Sequence, residues 1–223
     1  MIYITGDVHG DFRRFRKIRG IKRGDTLIIC GDFGFIWDGG KREQRILAKI
    51  GKLSFNVTFV DGVHENFKLL RTYEREVWNG GETLHICGNL RYLCRGQVFD
   101  INGSRVFTFG GGAPDHDDIL PAGFDVRDCA AEQEEFDTAV RNLDRAGNAV
   151  DYVVTYEPPV SVSRSLALKR RDTRESVNFL DTFASLITFK KWYFGKFHVN
   201  KQITSKYVAL FDKSVKPDGK TTF

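Results

Sequence analysis

The sequence predicts a mixed α/β (α+β) fold in which two β-sheets pack face to face and carry helices on their outer sides. Three observations support this prediction. Strand-like runs alternate with helical patterns in the first half of the chain, short strands follow one another across tight turns in the middle, and helices alternate with strands again in the second half. Such alternation is typical of βαβ units, in which helices connect parallel strands.

Three apolar or β-branched runs in the first half each end at a turn that contains Asp and Gly. They are residues 2–5, 26–30 and 56–60. We predict helices between them, over residues 11–18 and 44–53. Functional loops of such units lie at the carboxyl ends of the parallel strands, so the residues after these three runs are the first candidates for a site.

The middle of the chain predicts short strands, and the second half returns to helices and strands. The predicted strands are residues 91–94, 97–101, 105–109, 151–155, 191–194 and 207–211, and the predicted helices are residues 132–145 and 175–186. Asn102-Gly103 is a strong hairpin signal. The chain length suits one domain, which we place at residues 1–212, with residues 213–223 as a C-terminal tail.

The composition indicates a globular protein and excludes several classes. Of the 223 residues, 41% are hydrophobic and 28% charged, which is ordinary for a packed domain. The longest apolar runs have strand length and are too short to span a bilayer, so we expect no membrane partner. No leader pattern precedes the first strand, and the four cysteines show no disulfide framework. A reduced, cytoplasmic setting is therefore expected.

The net charge of +5 comes largely from a basic segment over residues 13–23. Phe12, Phe15 and Ile18 stand at helical spacing within it, which predicts an amphipathic helix with a basic outer face. A solvated surface is the favoured interpretation, and a nucleic-acid contact face is the alternative. The cluster Lys169-Arg170-Arg171 allows the same two interpretations.

Four residues at strand ends are candidate metal ligands: Asp7, His9, Asp32 and His198. Asp7 and His9 flank Val8 in an extended turn, so both side chains are able to face one point. Two carboxylates and two imidazoles suit Mn²⁺, Fe or Zn²⁺ better than Ca²⁺ or Mg²⁺. Each residue alone is commonplace, and the ordered set at successive strand ends indicates a site for one divalent metal ion.

The strand-end motifs resemble those of the calcineurin-like metallophosphoesterase family. That family has Gly-Asp-x-His-Gly, Gly-Asp, Gly-Asn-His-Glu, a His before a Pro-rich turn, and Gly-His-x-His, in this order. The corresponding segments here are Gly6-Asp7-Val8-His9-Gly10, Gly31-Asp32, Gly62-Val63-His64-Glu65, Tyr156-Glu157-Pro158-Pro159 and Gly195-Lys196-Phe197-His198. The resemblance implies a four-layer αββα sandwich, with the two sheets flanked by helices and a metal site at one rim. It also implies a phosphate ester or nucleotide as ligand.

The resemblance implies two metal ions, and this sequence departs from the ligands of the second. Asp7, His9, Asp32 and His198 would hold the first ion, with Asp32 bridging to the second. The second ion would need Asn, His and His at the positions of Val63, Tyr156 and Lys196. Valine has no donor atom, lysine carries a positive charge near neutral pH, and a protonated phenol is a poor ligand. We therefore predict that the second metal ion is absent.

The resemblance implies hydrolysis of phosphate esters, in which two ions polarise the phosphoryl group and generate the nucleophile. Without the second ion we predict that hydrolysis is weak or lost. The alternative is an active single-metal phosphodiesterase or phosphatase, in which His64 acts on the phosphate and Lys196 replaces part of the missing charge. Many relatives support this histidine with an Asp where Phe35 stands here. A nucleic-acid-binding protein is a distant third hypothesis.

Two further groups give weaker indications. The acidic turn Asp115-His116-Asp117-Asp118 is most simply a solvated capping turn, and its alternative is a cation site or a cap over the cleft. His85, Cys87 and Cys94 faintly suggest zinc but lack a fourth ligand. Substrate identity, oligomeric state and protein partners are not indicated by the sequence.

Overall fold

Two β-sheets form the centre of the protein in the computed structural model, which describes residues 1–116, 118–165, 178–217 and 219. The strands found there are β1 (Ile2–Thr5), β2 (Thr26–Cys30), β3 (Asn56–Val60), β4 (Glu74–Trp78), β5 (Gly81–Cys87), β6 (Leu90–Leu93), β7 (Gln97–Ile101), β8 (Ser104–Phe109), β9 (Tyr152–Thr155), β10 (Lys191–Phe194), β11 (Lys201–Gln202), β12 (Tyr207–Ala209) and β13 (Ser214–Val215). The helices are α1 (Arg13–Arg16), α2 (Lys41–Gly51), α3 (Phe67–Leu70), α4 (Val126–Cys129), α5 (Gln133–Arg145), α6 (Val160–Ser165) and α7 (Asn178–Leu186).

Each sheet has a parallel centre and antiparallel edges. Over the described residues the first sheet has the order β13-β1-β2-β3-β6-β5-β4, and the second has the order β11-β12-β10-β9-β8-β7. Strands β1, β2, β3 and β6 run parallel, as do β8, β9, β10 and β12. Because parallel strands end at the same edge, the loops after these strands share one rim.

Alternation along the strands divides the apolar residues between layers. In β2, Ile28 packs between the two sheets, whereas its neighbours Leu27 and Ile29 belong to the cluster under the helices of the first sheet. A third cluster lies between the second sheet and its helices, and Phe183 of α7 and Trp192 of β10 are fully buried there. The four layers are therefore helix, sheet, sheet and helix, which confirms the predicted αββα sandwich.

Most predicted elements are present, and several differ. The predicted helix over residues 11–18 is a short turn of helix at Arg13–Arg16. The hairpin of β4 and β5 was not predicted. The predicted tail is partly wrong, because Ser214 and Val215 pair antiparallel with β1. Residues 175–177 of the predicted last helix, and the cluster at residues 169–171, lie outside the described residues.

Among the described residues, no helix combines the length and the apolar character that crossing a bilayer requires.

Candidate functional site

The predicted site residues meet at the rim where the parallel strands of both sheets end. Asp7 and His9 follow β1, Asp32 follows β2, and His64 follows β3. The second sheet contributes Tyr156 after β9 and Lys196 and His198 after β10. Motifs that are almost 200 residues apart in the sequence are therefore brought to one place by the strand order.

The backbone at this rim is strained at four of the predicted positions. His9, Asp32, Lys196 and His198 have φ angles of 49°, 44°, 64° and 50°. Such left-handed conformations are uncommon for residues other than glycine. The other non-glycine residues with positive φ in the described part of the chain are asparagines, which tolerate this conformation well. Strain of this kind persists where the surrounding structure enforces it, and it concentrates at functional sites.

Two glycines of the motifs allow close approach between the rim loops. A Cβ atom on Gly195 would overlap the carboxylate of Asp7, and one on Gly62 would overlap that of Asp32. Because Gly195 and Gly62 have no side chain, the amides of the residues that follow them reach the two carboxylates. The Lys196 amide donates to Asp7 Oδ1 over 3.0 Å, and the Val63 amide donates to Asp32 Oδ1 over 2.7 Å. Each carboxylate is held on one oxygen by the backbone of a neighbouring loop.

Three of the four predicted ligands of the first metal point at one another. Asp7 Oδ2 lies 3.2 Å from His198 Nε2 and 3.8 Å from His9 Nε2, and the two imidazole nitrogens are 2.9 Å apart. Asp7 is fully buried, and its Oδ2 has no hydrogen-bond partner in the described structure. Ligand atoms that each lie about 2.0–2.2 Å from a shared ion are separated by about 3–3.6 Å. The three observed separations, 2.9, 3.2 and 3.8 Å, lie close to this range, so small side-chain adjustments would suit these residues to one divalent ion.

The protonation of this triad reflects its burial. Burial raises the pKa of Asp7 to about 6, even though His198 opposes the shift. The contact with Asp7 raises the pKa of His198 above its ordinary value, whereas burial lowers that of His9. Protons that Asp7 and His198 retain near pH 6 must leave before their lone pairs are available to an ion.

Asp32, the fourth predicted ligand, stands apart from Asp7 and His198. Its Oδ1 accepts from the amides of Val63 and His64 over 2.7 and 3.0 Å, and its Oδ2 lies 2.8 Å from His64 Nδ1. Candidate ligand atoms of His9, Asp32 and His64 form a second group within 4.8 Å of one another. Among the described residues no other such group occurs, so the zinc set suggested at His85 does not assemble.

The three positions expected to hold a second ion contain other contacts. Val63 is fully buried in the apolar cluster under the first sheet. The hydroxyl of Tyr156 donates to Asp32 Oδ2 over 2.8 Å, and burial raises its pKa well above 10. The ammonium of Lys196 lies 2.9 Å from Glu157 Oε1 and donates to the carbonyl of Ala113.

His64 lies between two carboxylates, one of which belongs to the acidic turn for which a cap over the cleft was the alternative prediction. Asp118 Oδ1 is 3.7 Å from His64 Nε2, so the acidic turn reaches into the site instead of being wholly solvated. Burial lowers the pKa of His64, but Asp32 and then Asp118 outweigh burial, and the net shift is upward. Phe35 packs against Phe33 and brings no carboxylate to this histidine. Asp117 lies outside the described residues.

Arg14 is a residue whose place the sequence did not predict. It was predicted on a basic outer face, but its guanidinium is buried and donates to the carbonyl of Asp7 over 2.8 Å and to that of Phe211. The Phe211 ring in turn lies 4.7 Å from the ring of His198. The prediction of an outward Arg14 is wrong because these buried carbonyls need a donor. The neighbouring Arg13 is exposed and pairs with Asp11.

Fold and site together define an α/β protein with a candidate metal centre at the rim of two parallel-centred sheets. The sequence model of the calcineurin-like phosphoesterase family matches residues 1–196. The chain therefore belongs to the calcineurin-like phosphoesterase family.

Other comparisons are more distant. No protein with a curated description matches the chain. A crystal structure of a putative 5'-nucleotidase from Staphylococcus aureus in complex with alpha-ketoglutarate is similar, with 13% identity and a TM-score of 0.47. The similarity covers 93% of this chain and 48% of that one, so this chain spans about half the length of that structure.

Proposed function

We propose that this protein is a single-metal member of its family that binds a phosphate ester and hydrolyses it weakly or not at all. The main support for this proposal is that the side chains at the second-metal positions make contacts with protein groups. The Tyr156 hydroxyl occupies Asp32 Oδ2, and the Lys196 ammonium is paired with Glu157. Val63 is buried in the core and has no donor atom, the Lys196 ammonium has no lone pair, and the Tyr156 phenol is a neutral, weak ligand whose hydrogen is directed at Asp32.

The first site supports binding of one divalent ion by Asp7, His9 and His198. The unpartnered Oδ2 of Asp7 and the two facing Nε2 atoms supply one oxygen and two nitrogen ligands. This donor set suits Mn²⁺, Fe or Zn²⁺. When bound, such an ion supplies Lewis acidity toward a phosphoryl oxygen. In this proposal Asp7, His9 and His198 are sufficient to bind the ion, and Asp32 is not required.

His64 is the residue that we expect to meet the phosphate. Its ring is only partly buried, and its Nε2 faces Asp118 at the mouth of the site. The upward shift of its pKa favours the imidazolium form, which donates hydrogen bonds to anionic oxygens. We therefore propose a phosphate monoester, diester or nucleotide as ligand, recognised by His64 beside the metal.

The alternative is an active single-metal phosphodiesterase or phosphatase that uses His64 and Lys196. The retained His64, with a raised pKa, favours this alternative because it is suited to protonate a leaving group. The pairing of Lys196 with Glu157 counts against its use as a replacement for the missing ion's charge.

Metal content and turnover measured on one sample distinguish the two. The purified chain is loaded with Mn²⁺, desalted and analysed for metal, and then assayed with bis(p-nitrophenyl) phosphate and p-nitrophenyl phosphate. About one ion per chain without turnover supports the binding protein, and one ion with turnover that His9→Ala abolishes supports the enzyme. Two ions per chain would contradict both. His85→Ala, which alters a histidine outside the site, is the matched control.

We further propose a cytoplasmic location, supported by the four unpaired cysteines. Thiol labelling of the chain isolated from its native source should then find all four reduced. Nucleic-acid binding remains the most distant proposal, and the inward turn of Arg14 removes one cation from the face it would use. Steeply salt-dependent binding to a DNA or RNA oligonucleotide would favour it, and its absence would end it.

A further inference from the structure

The carboxylate of Asp32 is almost saturated with protein donors. It is 1% exposed, and three hydrogen bonds reach it, from the amides of Val63 and His64 and from the hydroxyl of Tyr156. A carboxylate has about four acceptor positions. The remaining position, on Oδ2, faces His64 Nδ1 at 2.8 Å.

Asp7, in contrast, accepts fewer hydrogen bonds from the protein than Asp32 does. Its Oδ1 accepts a single backbone hydrogen bond from Lys196, and its Oδ2 accepts no well-aligned hydrogen bond, although His198 Nε2 lies 3.2 Å away. That second oxygen faces the imidazoles of His9 and His198. Of the two aspartates at the rim, Asp7 keeps one oxygen that accepts no hydrogen bond, whereas both oxygens of Asp32 accept from protein donors.

His64 Nδ1 is likewise a buried atom without a well-aligned hydrogen bond, and its nearest ion-pair partner is Asp32 Oδ2. At 2.8 Å, Nδ1 lies within hydrogen-bond distance of that oxygen. An Nδ1–H directed at Asp32 leaves Nε2 on the open side of the ring, toward Asp118. The contact therefore fixes which nitrogen of His64 is available to a ligand.

We propose that Asp32 is not a metal ligand in this chain but a positioning residue that holds His64 in its Nδ1–H form, with the ion bound by Asp7, His9 and His198 alone. The metal half of this inference rests on the proposed function. The part of the inference that concerns His64 does not require a bound metal and is tested on the metal-free protein. Tyr156 belongs to the same arrangement because its hydroxyl also donates to Oδ2.

The first test compares two isosteric substitutions by titration calorimetry with Mn²⁺. Asp32→Asn should keep the dissociation constant within about threefold of the unchanged chain, whereas Asp7→Asn should weaken it by more than about 100-fold. If Asp32→Asn is folded by circular dichroism and loses affinity as severely as Asp7→Asn, Asp32 is a ligand and the inference is overturned. Absence of binding by the unchanged chain would instead refute the proposed metal site.

The second test reads His64 directly in metal-free protein. ¹⁵N-histidine NMR at about pH 8.5, with His64 assigned from the spectrum of His64→Gln, reports which ring nitrogen carries the proton. We expect Nδ1–H in the unchanged chain and a change to Nε2–H in Asp32→Asn, whose amide group donates to Nδ1. Nε2–H in the unchanged chain would overturn the inference, even where Asp32→Asn fails to fold.

Discussion

The Tyr156 hydroxyl donates a 2.8 Å hydrogen bond to Asp32 Oδ2, at a position where the family pattern has a metal-binding histidine. Burial first, and then the nearby Asp32, raise the pKa of this phenol well above 10. In the metal-free protein the phenol therefore stays protonated over the physiological pH range and acts as a donor to Asp32. Under the proposed function, this hydrogen bond acts together with the replaced ligands to keep a second ion out.

Restoring the family's residue types at Val63, Tyr156 and Lys196 should reopen that position. We expect the combined variant Val63→Asn, Tyr156→His and Lys196→His to bind about two Mn²⁺ ions per chain where the unchanged chain binds about one. Elemental analysis after loading and desalting measures the ratio. Tyr156→Phe is the matched control, because it removes the hydroxyl without supplying a ligand and should leave the ratio near one. A folded triple variant that still binds one ion would contradict our assignment of these positions.

Metal binding at the first site should strengthen as the pH rises through about 6. Burial raises the pKa of Asp7 to about 6, and the contact with Asp7 raises that of His198. Both groups must lose protons before they bind an ion, so protons compete with Mn²⁺ below this pH. The apparent affinity should rise by about tenfold per pH unit for each proton displaced and should level off at higher pH.

Thermal unfolding gives the complementary readout. The folded-state pKa of Asp7 lies above its ordinary value of 3.8, so metal-free protein loses stability as the pH rises from about 4 to 6. The raised pKa of His198 acts in the same direction at higher pH, from about 6.5 upward. The increase in Tm on adding Mn²⁺ should therefore grow over this range. A metal-induced shift that is constant between pH 5 and 8 would contradict the assignment.

Much of the fold follows from local patterns, and the missed hairpin shows why some of it was overlooked. Asn102-Gly103 predicted a turn, and both residues have the positive φ that a type I′ turn requires. Asn79-Gly80 is the same signal with the same conformation, and it joins β4 to β5. The charged residues of β4 conceal it, because an edge strand faces solvent and needs no alternating apolar pattern.

The sequence motifs predict which residues belong to the candidate site but not the long-range contacts between them. The motifs name Asp7, His9 and His198, which the fold brings together. The saturation of Asp32 depends on Tyr156, 124 residues further along the chain. The role of Arg14 depends on Phe211, which is 197 residues away. Contacts at such separation arise from strand order, so one sequence without its fold gives no sign of them.

Arg14 should support the metal site from behind. Its guanidinium joins the backbone carbonyl of Asp7 to that of Phe211, whose ring packs near His198. Arg14→Ala should weaken Mn²⁺ binding by about 10- to 100-fold, as is usual for residues that orient metal ligands, and should lower the Tm. Arg13→Ala is the matched control, because this neighbour is exposed and pairs with Asp11. Equal effects of the two substitutions on calorimetric affinity would exclude a positioning role for Arg14.

Glu65 should make the stability of the rim depend on pH. Its carboxylate accepts from the amides of Phe33, Gly34 and Gly62 over 2.7, 3.3 and 2.9 Å, and so ties the loop after β2 to the loop after β3. Burial raises its pKa to about 8. The native state therefore retains a proton that the unfolded chain releases above about pH 4.5, and the free energy of unfolding contributed by this group falls as the pH rises toward 8.

Replacing the Glu65 carboxyl by an amide separates the contribution of its hydrogen bonds from the contribution of its titration. Glu65→Gln sets an NH₂ group against backbone donors, so we expect a loss of about 1–3 kcal/mol at pH 5. The loss should shrink toward pH 8, because glutamine has no proton to release while the unchanged chain becomes less stable. Urea unfolding at pH 5, 6.5 and 8 measures this difference, with the exposed Glu74→Gln expected to stay within about 0.5 kcal/mol. A loss that is the same at all three pH values would mean that the three amides keep Glu65 ionised throughout.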